Sequence, residues 1–202
     1  LMYPLWDLGL EVGYSVRTIP ECKQLIRQDI TIYTALVDSR YLWGDGILYN
    51  RYKVEVPGKA LRLHAEKSFF DLRKVTEKRH ERYGKSVSLL EPNVKEGKGG
   101  LRDFHVLRWL LWPLEGVSNS WGRVAGDMIT GRLSEDLQDA LRFLWKIRLV
   151  LHMLVQRKND RLTFQFQEEI ALHLGYRQKG HTLDVEVFMR DYYEKATVIS
   201  RA

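Results

Sequence analysis

Glycine, charge and a following apolar run are concentrated in one stretch, which reads Glu91-Pro92-Asn93-Val94-Lys95-Glu96-Gly97-Lys98-Gly99-Gly100-Leu101-Arg102-Asp103-Phe104-His105. Gly97, Gly99 and Gly100 free the backbone for positive φ and for close approach to a partner. Beyond them Leu101, Leu107, Leu110 and Leu111 recur at helical spacing, so the loop opens onto a helix N-terminus. Backbone N–H groups, the positive end of the helix dipole, and Lys95, Lys98 and Arg102 together favour an anion, with phosphate as the leading candidate. The competing interpretation of the same residues is a tight turn with a solvated charge run.

This stretch also carries a resemblance. Glu91 to Gly97 followed by Gly99-Gly100-Leu101-Arg102-Asp103 is similar to the signature of bacterial protein-PII uridylyltransferase/uridylyl-removing enzymes, in the helical domain that follows their nucleotidyltransferase domain. Lys98 stands where members of that family often have proline. Two later blocks resemble the same domain: Phe143 to His152 with Asp160 to Phe164, Gln167 and Leu174 to Tyr176, and then Val187 to Tyr193. The resemblance implies transfer of UMP from UTP to a tyrosine of a PII-type signal protein, with Mg²⁺ as cofactor. Under it, Lys95, Lys98 and Arg102 contact the triphosphate, Gly99 and Gly100 allow close backbone approach, and Asn93 and Asp103 serve loop geometry or metal-bound water.

The segment Leu5 to Thr18 resembles the part that closes the family's nucleotidyltransferase core. Such enzymes carry a Gly-Ser motif and paired aspartates upstream, neither of which occurs here. A two-metal site needs converging oxygen ligands, because Mg²⁺ demands octahedral geometry and clamps the entering and leaving oxygens. Asp7 is the expected third carboxylate, for metal binding or for activating the acceptor hydroxyl, and Glu11 is the runner-up. Read without the resemblance, Asp7 is equally a turn carboxylate. The uridylyl-removing activity of the family belongs to a following phosphohydrolase domain with a His-Asp dipeptide, which this chain lacks.

The elements that must position these residues follow from pattern. Leu8, Leu10, Val12, Tyr14 and Val16 alternate with polar positions and predict one half-buried strand, whose pairing partners must lie elsewhere. Thr18 and Asp29 are candidate N-caps, with Pro20 in the first turn after Thr18. The second of these helices carries Ile32, Leu36 and Val37 and leads through Tyr41 to a stop at Gly44. Gly44, Asp45, Gly46, Pro57 and Gly58 mark a boundary, and the resemblance implies a nucleotidyltransferase remnant over 1–44 and a helical domain over 45–202. A basic amphipathic helix is predicted from about Ala60 to Tyr83, with Leu61, Phe69, Leu72 and Val75 inward. The helix after the glycine loop ends at Pro113, and 116–126 is a connection. Ser134 caps a long helix with Leu137, Leu141, Leu144, Ile147, Leu151 and Leu154 inward. The last helix starts at Thr182 or Asp184 and runs through Val187, Phe188, Tyr192 and Ala196 towards Ile199. His64, His80 and His152 have no ligand partner at suitable spacing; His64 and His80 are read as satisfied surface or packing histidines and His152 as a core histidine bonded to a neighbour. The fold class is therefore mainly α, a multi-helix bundle preceded by one strand of a nucleotidyltransferase sheet.

Composition fits this. Across 202 residues, 32 Lys and Arg face 26 Asp and Glu, a net charge of +6 that suits phosphates or an acidic partner and says nothing about fold. No run of eighteen apolar residues predicts a membrane span. The single cysteine, Cys22, fits a reducing, cytoplasmic setting. The chain opens at Leu1-Met2-Tyr3-Pro4 without a secretory leader and reads as a segment of a longer protein. Two other function classes compete with catalysis. One is a helical interaction or scaffold module of a signalling protein, in which Lys95 and Arg102 are salt-bridged inward. The other is nucleic-acid binding by the six tryptophans and ten tyrosines, ranked last because most sit at helical core spacing.

Overall fold

The computed structural model describes residues 3–10, 12–114, 131–177 and 184–202, without the side chains of 131–134. Glu11, the 116–126 connection, the Ser134 cap and Thr182 lie outside the described residues. The chain divides into two compact units, Leu1–Glu66 and Lys67–Ala202. Both are helical. Among the described residues no helix is long and apolar enough to cross a membrane.

The first unit begins with the short helix α1, Tyr3–Asp7. The strand expected over Leu8 to Val16 is not formed. The described residues there make a turn and irregular chain, and Leu8 and Val16 are 75% and 93% exposed. A strand exists only where a second one accepts and donates its backbone hydrogen bonds, and among the described residues these have no such partner. Instead Trp6 Nε1 donates to Val12 O at 3.1 Å, and the Trp6 ring meets Tyr3 and Tyr14 edge-on.

Local capping chemistry sets the next two helices. Helix α2, Ile19–Leu25, starts at a capping box: Glu21 N donates to Thr18 Oγ1 while Thr18 N donates to Glu21 Oε2 at 2.6 Å. Helix α3, Ile30–Val37, starts at Asp29, whose Oδ1 accepts from Thr31 N at 2.7 Å. It ends, well short of Gly44, where the Ser39 hydroxyl donates to Leu36 O at 2.7 Å and competes with the backbone for that carbonyl.

Helix α4, Gly46–Glu55, runs into a π-helical turn, Val56–Leu61, in which Val56 and Leu61 are fully buried. Pro57 has no N–H for the α-helical bond, so the turn widens at that residue. Consequently the helix expected from Ala60 is helix α5, Ala65–Tyr83. Within it Leu72 is buried as expected, but Phe69 and Val75 are about half exposed.

The second unit holds the larger core. Helix α6, Leu101–Leu111, is followed by a single 3₁₀ turn, Trp112–Leu114, where Pro113 ends it. Helix α7, Gly131–Val155, is the long central element. Helices α8, Phe164–His173, and α9, Asp184–Arg201, pack on it. Leu137, Leu144, Ile147 and Leu151 of α7 meet Ile170 and Ala171 of α8 and Phe188, Tyr192, Ala196 and Ile199 of α9 in one buried cluster. Val94 and Leu101, at the two ends of the glycine loop, belong to the same cluster, so the loop is pinned at both ends by burial.

Candidate functional site

The glycine loop is stitched to the segment that joins α7 to α8. Val94 N donates to Asp160 O at 2.8 Å and Leu162 N to Pro92 O at 2.9 Å, around an antiparallel bridge between Asn93 and Arg161. Glu91 accepts from Arg161 Nη2 at 2.8 Å and from Phe164 N at 3.2 Å, so it caps α8 from a distant part of the chain. Gln167, buried, donates its amide to Leu90 O and Leu162 O.

Inside the loop, Asn93 Oδ1 accepts from Lys95 N and Glu96 N at 3.1 and 2.7 Å, an Asx turn. Leu101 N then donates to Val94 O, Arg102 N to Lys95 O and Asp103 N to Gly100 O, at 2.8–3.0 Å. Gly99 N donates to Asp103 Oδ2 at 2.7 Å. The first N–H groups of α6, which the sequence offers to an anion, are thus all engaged by the chain's own oxygens. An anion at the mouth of α6 therefore meets side chains rather than these N–H groups.

The glycines answer to the same geometry. Gly99 has φ +75°, and a Cβ there would lie 2.2 Å from Ala196 O on α9. At Gly97 the obstacle is Asn93 O at 2.6 Å, and at Gly100 it is Val94 O and Lys95 O, both at 2.8 Å. The close approach these residues permit is to the chain itself.

Two carboxylates anchor the charges. Asp103 Oδ1 accepts from Arg79 Nη2 at 2.5 Å and lies 2.9 Å from His80 Nε2. Arg79, only 9% exposed, also donates to Glu96 O at 2.7 Å. Asp160 Oδ1 accepts from Arg148 Nε at 2.7 Å and lies 3.1 Å from His152 Nε2. Burial pushes the Asp160 carboxyl up, but the bonds from Arg148 and His152 and the charges of Arg148 and Lys95 outweigh it and leave the group below its ordinary value. His80 and His152 are therefore packing histidines bonded to neighbours, and so is His64, which accepts from Arg27 Nε at 3.0 Å.

Of the three candidate phosphate ligands, Lys95 and Arg102 both lie 3.4 Å from Glu96 Oε1 and are about one-third exposed. The Arg102 guanidinium also sits 5.8 Å over the Trp109 ring. Lys98 is half-buried and makes no ion pair among the described residues. Asp7 stands exposed at the end of α1, in the first unit. Among the described residues no group of three His, Cys, Asp or Glu side chains is placed to hold a metal. A magnesium site needs more converging oxygens than Asp7 supplies, so this chain's described residues do not make one unaided.

Sequence reasoning missed Glu96, Arg148 and Asp160 as parts of the site, and took Arg79 only as one of the basic residues of the helix before the loop. One signal was present: an acidic residue between Lys95 and Gly97, and a second acidic residue opening the Asp160 to Phe164 block.

Comparison with known proteins gives consistent matches. The family model described as GlnD PII-uridylyltransferase matches residues 68–202. A bifunctional uridylyltransferase/uridylyl-removing enzyme of Rhodospirillum rubrum is 38% identical over 200 residues, covering 98% of this chain and 21% of the relative. An enzyme of the same description from Cereibacter sphaeroides is 42% identical over 199 residues, with the same coverage. The chain therefore spans about a fifth of the length of the curated relatives it matches. No solved structure matches.

Proposed function

Because the chain belongs to the GlnD PII-uridylyltransferase family, we propose that it is the segment of a longer enzyme that helps transfer UMP from UTP to a tyrosine of a PII-type signal protein. In that reaction the tyrosine oxygen bonds to the α-phosphorus, its proton leaves, and pyrophosphate departs. Catalysis of this kind is positioning and charge stabilisation. The observation that carries the reading is the 38–42% identity along nearly the whole chain to enzymes named for uridylyl transfer.

The residues divide the work as follows. Lys95, Lys98 and Arg102 neutralise the triphosphate through their side chains. Asn93 and Asp103 fix the loop, and Gly99 and Gly100 let it seat against α9 and fold on itself. Mg²⁺, when bound, supplies the Lewis acid, and Asp7 contributes one carboxylate beside others from a sheet outside this chain. The alternating residues from Leu8 to Val16 would form the edge of that sheet. The enzyme works in the cytoplasm, with neither membrane nor nucleic acid as partner.

Calorimetry of Mg-UTP and Mg-ATP against the full-length protein tests this, comparing wild type with Lys95→Ala plus Arg102→Ala. The double variant is expected to bind at least about tenfold more weakly. Equal affinity would favour the second reading, a helical scaffold that joins catalytic domains, which is supported by the loop's N–H groups and glycines being engaged within the chain.

A further inference from the structure

Glu96 occupies an unusual position among the cations. Its Oε1 lies 3.4 Å from both Lys95 Nζ and Arg102 Nη2, and its Oε2 lies 4.0 Å from Arg79 Nε. One carboxylate thus faces three cations, with its side chain 20% exposed. Arg79 does not depend on it, being held by Asp103 and by the Glu96 carbonyl. Lys95 does, because the other carboxylate near it, Asp160, is taken by Arg148 and His152, and Arg102, which also lies over the Trp109 ring, has Glu96 as its ion-pair partner among the described residues. The two contacts are also loose. Charge-assisted N–H···O bonds close to about 2.7–2.9 Å when one acceptor serves one donor well. A single oxygen stretched between two donors at 3.4 Å is a weak holder of both.

We infer that Glu96 is an internal counter-anion that keeps Lys95 and Arg102 gathered in the absence of a polyphosphate and is displaced from them when one binds. This rests on the phosphate-binding reading of the loop proposed above and adds a competitor to it. The chemistry follows from charge density. A second carboxylate or a singly charged anion gains nothing over Glu96, which is already tethered at high effective concentration. A triphosphate places several oxygens and more charge against Lys95, Arg102 and Lys98 together, so it wins the exchange. Glu96 therefore sets a threshold that admits polyphosphates and turns away monoanions.

The test is calorimetry with inorganic triphosphate on the full-length protein, in wild type, Glu96→Gln, Glu96→Asp and Lys95→Ala plus Arg102→Ala, each with its unfolding midpoint measured. Glu96→Gln removes the competitor and is expected to bind triphosphate about two- to fivefold more tightly. Glu96→Asp, which keeps the charge but draws it back by one methylene, is expected to fall between, and it carries the test if the glutamine variant does not fold. Acetate at high concentration is expected to compete in the glutamine variant and not in wild type. Weaker or unchanged triphosphate binding in the folded Glu96 variants, with the double variant still weakened, would overturn the inference and leave the phosphate reading standing. Unchanged binding in the double variant would overturn both.

Discussion

Gly99 is the residue on which the loop's shape turns. Its φ of +75° costs any L side chain about 1 kcal/mol or more, and a Cβ there would also meet the backbone of Ala196. Gly175 has a similar φ of +81° with open space around it. Gly99→Ala is therefore expected to destabilise by about 3 kcal/mol or more, and Gly175→Ala by about 1 kcal/mol. Urea denaturation of the two variants separates strain from collision; equal losses would mean that α9 does not confine the loop. Asp160 gives a second test at this scale. Its folded carboxyl lies below the ordinary value, so its stabilisation is complete above about pH 4, the unfolded value, and is lost as pH falls through the lower folded value. Asp160→Asn should cost about 2 kcal/mol near neutrality, and the gap to wild type should close progressively in acid. A gap that is constant from pH 7 down to pH 3 would contradict the pairing with Arg148 and His152.

For the helices, the difference between inward and outward positions is sharp enough to measure. Ile147 of α7 is fully buried against its neighbours, whereas Leu149, two residues on, is 63% exposed. Ile147→Ala should cost about 2–5 kcal/mol and Leu149→Ala less than about 0.5 kcal/mol. Thr18→Ala, which removes the cap of α2, should cost about 1 kcal/mol, read from the same denaturation curves. These positions were legible in the sequence because each rests on chemistry within a few residues: a side chain reaching its own helix end, or an apolar stripe at three-and-four spacing. Phe69 and Val75 were misplaced because periodicity reports where a stripe is and not how far a neighbour covers it. The strand from Leu8 is not formed among the described residues because alternation describes only one half of a pairing. The glycine loop was legible as a special backbone, yet its purpose was only half visible. Glycines and cations predict an anion cradle, while the carbonyls that take the N–H groups of α6, and the Asp160 and Glu91 contacts, depend on a fold that brings residues some 70 positions apart together.

On the scale of the whole molecule, the chain's charge and its metal chemistry separate. The cations of the loop are present and ordered, but the described residues hold no group of three metal ligands. If the proposed function holds, Asp7→Asn in the full-length protein is expected to lower the rate of uridylyl transfer about a hundredfold with the unfolding midpoint intact. A normal rate in that variant would return Asp7 to the role of a turn carboxylate.

Tyr193 Oη donates to Leu89 O across 104 positions of chain, and Gly99 rests on Ala196. A ribosome adding about 5–20 residues per second needs on the order of 5–20 s to emit that length. During that interval the signature stretch has already been made but has nothing to fold against. The glycine loop is thus among the last parts of this segment to mature, and a nascent or truncated chain that ends before α9 would carry the full motif without the shape that gives it meaning.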